Sequence, residues 1–197
     1  MSDTTDNISA SETDFPGTER QFDRAIAEFR DIYAAKLRDY GPSWRLMRPT
    51  AVTDQILIKA DRIRSLETKG ESRVDEPVED AFRAMVNYGI IGLIQLQLGY
   101  SDTKDISVEE AMRLYDLHMG RTRAVMLAKN HDYNEAWRKM RVSSYTDMIL
   151  MKLMRTKEIE DHQGHTEVSE GVDANYQDII NYSIFGLIKL AEQKEGK

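Results

Sequence analysis

The sequence contains no cysteine and only four prolines, and these shortages exclude several kinds of protein. Without cysteine the chain forms neither a disulfide nor a thiolate metal site, which fits a reducing cytoplasm, the location that we expect. No proline falls inside a predicted helix beyond its first turn, so long helices are allowed. No apolar run approaches the roughly 18 residues that a membrane span needs, so no contact with a membrane is expected.

Positive charge is also in short supply, because 27 lysines and arginines face 34 acidic residues and the formal net charge is −7. A broad interface for duplex nucleic acid is therefore not expected. The sequence has no glycine-rich phosphate loop, no nucleophile elbow and no dinucleotide fingerprint. Its start lacks the features of a secretory signal, and residues 1–16, rich in Ser, Thr and Asp, predict a disordered tail. Residues 17–197 predict a single all-α domain.

One stretch of sequence occurs twice. The segment "DYGPSWRLMR" at 39–48 returns as "DYNEAWRKMR" at 132–141, and 12 of the 24 positions from residue 39 to residue 62 are identical at an offset of 93 residues (132 minus 39). After one inserted residue the match continues, with nine identities in 21 positions between 76–96 and 170–190. Such self-similarity indicates a duplicated structural unit. We expect two repeats, about 19–98 and 107–193, related by a pseudo-two-fold axis.

Apolar residues recur at helical spacing through both repeats, and no alternation typical of strands occurs. Ser107, followed by Glu110 three residues later, predicts a capping box. The pairs Thr53-Asp54 and Thr146-Asp147 are interpreted as helix caps. The predicted fold is an all-α helical bundle built from two tandem three-helix units, with a short helical turn around each tryptophan. The six predicted helices span residues 19–38, 54–68, 76–98, 107–130, 147–160 and 170–193.

Carboxylates open the third helix of each repeat at spacings of three or four residues, so they share one helix face. Carboxylates a turn apart can hold Mg²⁺ together with phosphates and water, and Mg²⁺ is the cofactor that we expect. The alternative is that acids in a first helical turn stabilise the helix dipole without any ligand. The candidate metal ligands are Glu76, Glu79, Asp80, Glu170 and Asp173.

Cations and amides are duplicated as well. Lysine and arginine three residues apart suit phosphate oxygens, although salt bridges to the acids of the third helix would explain them equally well. Each asparagine lies within an apolar run, where its amide needs partners, so an inter-helix bond and a ligand contact both remain open. The candidate nucleotide-binding residues of this group are Lys59, Arg62, Asn87, Lys152, Arg155 and Asn181.

The duplicated stretch around each tryptophan combines flat rings with arginines. It predicts a surface on which a base stacks and to which phosphate binds, while the alternative is a packed hinge between helices held by Arg–Asp bridges. The candidates are Tyr40, Trp44 and Arg45 in the first repeat, and Tyr133, Trp137 and Arg138 in the second. We expect the acids and cations of both repeats to converge on one shared, solvent-accessible hollow.

The string "TDQILIKADRIRS…DEPVEDAFRAMVNYGIIGLIQL", preceded by "DYGPSWR", resembles domain-of-unknown-function family 1599, also called nucleotide modification associated domain 1. This family occurs in bacteria and bacteriophages. The second half, from "KNHDYNEAWRKMR" to "YQDIINYSIFGLI", resembles its longer bacterial members, and the resemblance covers about residues 20–192. The order DY…W, Lys-x-x-Arg, Asn-Tyr is fairly specific to the family. The resemblance implies a role in nucleotide metabolism or nucleotide modification.

The chain is more weakly similar to the all-α nucleoside triphosphate pyrophosphohydrolases of the MazG and dimeric dUTPase kind. Those enzymes bind Mg²⁺ between two acidic helices. Here "EPVED" and "EGVD" match one such helix, whereas "ILIKADR" and "ILMKLMR" stand in place of the other, which puts catalysis in doubt.

These features predict a nucleotide-binding protein, with Mg²⁺-dependent hydrolysis of a (deoxy)nucleotide phosphate as one hypothesis. A non-catalytic nucleotide sensor and a structural helical interaction protein are the alternatives. The sequence specifies neither the base, the sugar nor the bond that is cleaved, and it leaves the oligomeric state open, a homo-oligomer included.

Overall fold

The fold is that of a computed structural model, which describes residues 15–73, 76–165, 167 and 170–196. All regular elements in these ranges are helices, which confirms the predicted all-α bundle. The predicted tail at 1–16 lies outside the described residues, except for its last two positions. The six α-helices are α1 (Pro16–Tyr40), α2 (Pro49–Lys69), α3 (Val78–Leu98), α4 (Val108–Tyr133), α5 (Val142–Asp161) and α6 (Val172–Glu195).

Each repeat contributes a long outer helix, a short 3-10 turn, a second helix and a buried third helix. The two turns, Ser43–Leu46 and Ala136–Lys139, surround the tryptophans as predicted. The hydroxyl of Ser107 accepts a hydrogen bond from the Glu110 backbone at 3.1 Å, so the predicted cap of α4 is confirmed. The predicted Thr-Asp caps are wrong, because α2 begins at Pro49, where the fixed φ of proline suits the first helical position.

The centre of the molecule is the antiparallel pair α3 and α6. Small residues let the two backbones approach closely: a Cβ on Gly92 would lie 2.7 Å from the ring of Tyr176, and a Cβ on Gly186 would lie 3.0 Å from Phe82. Position 82 therefore faces position 186, and position 92 faces position 176, which fixes the antiparallel direction. The acidic starts of these two helices consequently lie at opposite ends of the pair.

The remaining helices surround this pair with two-fold regularity. Helix α2 packs on α3 and α5 packs on α6, while α1 lies mainly against α6 and α4 mainly against α3. Equivalent hydrogen bonds from the two repeats cross the α2–α5 contact. Thr53 donates to Glu160 at 2.7 Å, and its counterpart Thr146 donates to Glu67 at 3.0 Å. Two ion pairs, Arg64–Asp147 and Lys157–Asp54, follow the same symmetry. These matched contacts support the predicted pseudo-two-fold axis.

Over the ranges that the structure covers, no helix combines the length and the apolar character that crossing a bilayer requires.

Candidate functional site

A cavity of about 470 Å³ opens in the first repeat, between the end of α1, the first 3-10 turn, α2 and the start of α3. Its size falls within the roughly 300–1,000 Å³ typical of small-molecule sites. It brings together six of the predicted residues: Tyr40, Trp44, Lys59, Glu76, Asp80 and Asn87. Its wall also contains residues that the sequence did not single out, among them Tyr33, Lys36, Ala84 and Tyr88. We call this cavity the first-repeat pocket.

Two buried polar atoms on the wall of the first-repeat pocket have no hydrogen-bond partner among the described residues: Nε1 of Trp44 and the hydroxyl of Tyr33. Trp44 is 8% exposed and Tyr33 is 3% exposed. Burial raises the pKa of the Tyr33 hydroxyl, and the neighbouring Trp44 indole offsets part of that rise, so the hydroxyl keeps its proton at neutral pH. The two groups are close to each other, but they do not reach the geometry of a hydrogen bond. Both atoms are themselves buried, so a ligand in the cavity would reach them only after a side-chain movement.

The charged side chains of the first-repeat pocket form partly exposed pairs. Lys59 Nζ lies 3.1 Å from Glu76 Oε1, and Arg83 Nη1 lies 2.8 Å from Asp80 Oδ1. Lys36 is exposed and has no ion-pair partner within the described ranges. Exposed pairs stabilise a fold by roughly 0–1 kcal/mol, so a charged ligand can compete for their members.

Arg62 supports this wall without lining the cavity. Its Nη2 donates to the backbone carbonyl of Glu76 at 2.5 Å, and its Nε lies 3.7 Å from the Glu76 carboxylate. Arg62 therefore anchors the segment that carries Glu76, and direct contact with a nucleotide stays a prediction.

The predicted carboxylates do not converge. Glu79 lies outside the first-repeat pocket, and Lys194 at 2.5 Å lowers the pKa of its carboxyl by hydrogen bonding. Among the described residues no group of three or more acidic or histidine side chains is placed to hold a metal ion. Only Glu76 and Asp80 line the cavity, and both are engaged by cations. The described residues thus do not form a complete metal site, and Mg²⁺ stays a prediction that depends on phosphate oxygens as further ligands.

The two asparagines have mainly inter-helix roles. Asn87 Oδ1 accepts a hydrogen bond from the Tyr115 hydroxyl of α4 at 2.9 Å, while the residue also lines the first-repeat pocket. Asn181 donates to the Thr122 carbonyl at 3.4 Å, and its Oδ1 is buried without a partner among the described residues. The inter-helix bond that the sequence left open is therefore present at Asn87, while its contact with a ligand stays a prediction.

Neither arginine next to a tryptophan lines the first-repeat pocket. Arg45 is 2% exposed, and its Nε donates to Asp105 at 2.7 Å. Arg138 lies over the Trp137 ring at 4.3 Å and pairs with Glu135 and Glu192, both at 2.9 Å. The structure places both side chains in the alternative arrangement, a packed hinge held by ion pairs.

The second repeat fills the equivalent position with its own side chains. Trp137 stacks on Phe185 with ring centroids 4.4 Å apart, and its Nε1 donates to Asn130 Oδ1 at 3.1 Å. Lys152, only 8% exposed, lies 2.7 Å from Asp178 Oδ2, and Lys129 reaches the other oxygen of Asp178 at 2.5 Å. The indole N–H and the outer-helix lysine that are unpartnered among the described residues of the first repeat are therefore both paired in the second.

The other predicted residues of the second repeat lie at the surface. Tyr133 is 68% exposed, Arg155 and Asp173 are exposed, and Glu170 is 3.9 Å from the Lys152 ammonium. Because α3 and α6 are antiparallel, these residues lie at the far end of the helix pair from the first-repeat pocket. The first-repeat pocket belongs to one repeat alone. A second cavity, of about 340 Å³, is lined by residues of both repeats, and Glu79 is the one predicted residue on its wall. The predicted acids and cations therefore do not all converge on one shared hollow.

The sequence offered a signal for two of the residues that it missed, Lys36 and Tyr88, and the second recurs as Tyr182 after the inserted residue. Lys36 recurs as Lys129 at the same offset of 93 residues, so the duplication itself marks this position. Tyr33 and Ala84 have no such signal, because Met126 and Asp178 stand at their counterparts.

Comparison with known proteins agrees with the duplicated architecture. The family model described as nucleotide modification associated domain 1 matches twice, over residues 36–96 and 129–190. Searches of the curated proteins and of the solved structures give no match, and the similarity to all-α pyrophosphohydrolases stays a prediction. The two matched segments lie one in each repeat and together span more than half of the sequence. The chain therefore belongs to the nucleotide modification associated domain 1 family.

Proposed function

We propose that the first-repeat pocket binds a nucleotide. The observation that carries this proposal is an open cavity lined by two aromatic residues, Trp44 and Tyr33, whose buried polar atoms have no hydrogen-bond partner among the described residues. A buried polar group without a partner costs about 1–3 kcal/mol, and a bound ligand with acceptor atoms would remove that cost. The name of the family, which refers to nucleotide modification, points to the same class of ligand.

The first-repeat pocket offers the three kinds of contact that a nucleotide uses. The exposed Tyr40 and the largely buried Trp44 both line the cavity, and Trp44 has no stacked ring within the described residues, so these two rings are the candidates for stacking on a base. Base stacking on an aromatic side chain contributes roughly 1–3 kcal/mol. The amide of Asn87 and the hydroxyl of Tyr88 can bond a sugar or a base edge. Lysine ammonium groups on the wall neutralise phosphate.

Isothermal titration calorimetry with a panel of nucleosides and nucleoside 5′-phosphates tests this proposal. We expect Trp44→Phe and Tyr33→Phe, which keep a ring and remove one donor each, to weaken nucleotide binding about five- to tenfold. Tyr100→Phe is the control, because Tyr100 is exposed and lies outside the first-repeat pocket. Unchanged affinity in both pocket variants, or no binding of any nucleotide to the unaltered protein, would contradict the proposal.

A second candidate, Mg²⁺-dependent phosphohydrolysis, rests on Glu76 and Asp80, the two carboxylates of the pocket wall. In such a reaction water adds to phosphorus and a P–O bond to the leaving group breaks. Product analysis after incubation with Mg²⁺ decides between this candidate and a non-catalytic sensor. Hydrolysis is supported if the unaltered protein and the control Glu71→Gln, in an exposed loop, turn the nucleotide over and Glu76→Gln does not. The sensor is supported if the nucleotide is recovered intact from saturated protein.

A further inference from the structure

In the second repeat, a carboxylate of the protein itself lies between two lysine side chains, as a bound anion would. The carboxylate of Asp178, on α6, is 4% exposed and lies between two ammonium groups. Its Oδ1 is 2.5 Å from Lys129 Nζ of α4, and its Oδ2 is 2.7 Å from Lys152 Nζ of α5. Three helices thus meet at one negative charge held by two cations.

The first repeat has both cations and lacks the carboxylate. The counterparts of Lys129 and Lys152 are Lys36 and Lys59, and the counterpart of Asp178 is Ala84. All three first-repeat residues line the first-repeat pocket. A methyl group therefore stands where the second repeat has a carboxymethyl group, and two positive charges border the cavity with no carboxylate from position 84 between them.

We propose that a phosphate group of the ligand binds between Lys36 and Lys59 above Ala84, in the place that the Asp178 carboxylate has in the second repeat. The proposal rests on the proposed function in assigning this phosphate to a nucleotide. Phosphate, like carboxylate, offers several acceptor oxygens to ammonium donors, and its greater size suits the smaller side chain at position 84.

The ion pair between Lys59 and Glu76 is compatible with this subsite. In the second repeat Lys152 bonds Asp178 at 2.7 Å while Glu170, the counterpart of Glu76, stays 3.9 Å away. An ammonium group has three donors, so Lys59 can contact a phosphate and keep Glu76 nearby.

The partners of the two tryptophans also differ: the second repeat has them and the first repeat lacks them. Asn130, which accepts the indole N–H of Trp137, corresponds to Leu37, and Phe185, which stacks on that indole, corresponds to Ile91. The second repeat therefore supplies a hydrogen-bond acceptor, a stacked ring and an anion from its own chain. At the three equivalent positions the first repeat has Leu37, Ile91 and Ala84, which offer no acceptor, no ring and no charge. The three differences place the phosphate of the ligand at the lysines and its ring at Trp44.

Introducing the second-repeat residue into the first repeat tests the subsite. In Ala84→Asp the new carboxylate would occupy the subsite, so we expect calorimetric affinity for the four deoxynucleoside 5′-monophosphates to fall at least tenfold, while affinity for the nucleosides changes less than threefold. The melting temperature should be unchanged or higher, since the carboxylate gains two cations. Lys36→Met should show the same loss for monophosphates, with Lys69→Met, exposed at the end of α2, as its control.

The outcomes separate the two proposals. If monophosphates bind Ala84→Asp and Lys36→Met as tightly as the unaltered protein, the phosphate subsite is overturned and nucleotide binding stands. If inorganic phosphate binds in a Lys36-dependent manner and nucleotides bind no more tightly, the subsite stands and the proposed function fails. Should Ala84→Asp not fold, Lys36→Met, which changes an exposed side chain, decides the matter.

Discussion

At the scale of single residues, the two tryptophans show how equivalent positions can take different roles. Trp137 is hydrogen-bonded to Asn130 and stacked on Phe185, whereas Trp44 has an unpartnered indole N–H on the wall of a cavity. Burial is the same for both, at 7% and 8% exposure, so burial alone does not separate them. The difference lies in their partners, and partners determine what each ring contributes to folding.

In the ligand-free protein, Trp137→Phe should lower the free energy of unfolding by roughly 1–3 kcal/mol more than Trp44→Phe does. Replacing Trp137 removes a hydrogen bond and leaves the buried amide oxygen of Asn130 unpaired, while replacing Trp44 removes a donor that already lacks a partner. Equilibrium unfolding in urea, followed by circular dichroism, measures both changes. Equal losses would show that the indole N–H of Trp44 is satisfied in solution.

At the scale of elements, two carboxyl groups accept hydrogen bonds across the α2–α5 contact; Glu160 is half-buried and Glu67 is exposed. Thr53 donates to Glu160 and Thr146 donates to Glu67. Burial raises the pKa of both carboxyl groups above the usual 4.5, and the threonine hydroxyls offset part of the rise. A group with a raised folded-state pKa contributes stability that is complete below its unfolded pKa and is lost as pH rises through its folded pKa.

We therefore expect the double variant Glu67→Gln/Glu160→Gln to be slightly more stable than the unaltered protein at pH 7, because glutamine accepts the same hydrogen bond without a partly desolvated charge. The advantage should shrink as pH falls toward 4.5, where the unaltered carboxyl groups take up protons. Urea unfolding at intervals between pH 4.5 and 7.5 measures this, with Glu71→Gln in an exposed loop as the control. An advantage independent of pH would contradict the explanation.

The helices themselves were predictable because their signal is local. Apolar spacing located all six, and the Ser107 cap and the turns around the tryptophans were also found. The starts of α2 and α5 were predicted five residues late, since Thr53 and Thr146 resemble caps but bond across the α2–α5 contact instead. A threonine hydroxyl near the start of a helix can cap that helix or bond to a neighbouring helix. Which of the two it does depends on the side chains packed beside it.

At the scale of the whole molecule, the duplication gives the two repeats different side chains at the position of the first-repeat pocket. Asp178, Phe185 and Asn130 occupy the second-repeat position that the first repeat leaves open. We expect calorimetry to give one bound nucleotide per chain, and Lys36→Met to reduce affinity without changing that number. A stoichiometry of two would contradict the assignment of different roles to the repeats.

Sequence reasoning found about a third of the residues on the pocket wall and misjudged where they lie in the molecule. Tyr40, Trp44, Lys59, Glu76, Asp80 and Asn87 do meet in the first-repeat pocket. The sequence could not show that α3 and α6 run in opposite directions, which separates the two acidic sets. Nor could it show that Asp178 contacts two lysines from other helices, because contacts between distant segments leave no periodic trace.

Because α1 of the first repeat packs on α6 of the second, a single repeat would leave apolar helix faces uncovered. Phe22 of α1 meets Phe185 of α6 edge-to-face at 6.0 Å, so the outer helix of each repeat covers the buried helix of the other. A shorter gene that encoded only one repeat would leave these faces in water, and its product could bury them only against a second identical chain. Fusing the two copies into one polypeptide removed that need for assembly and allowed their sequences to diverge.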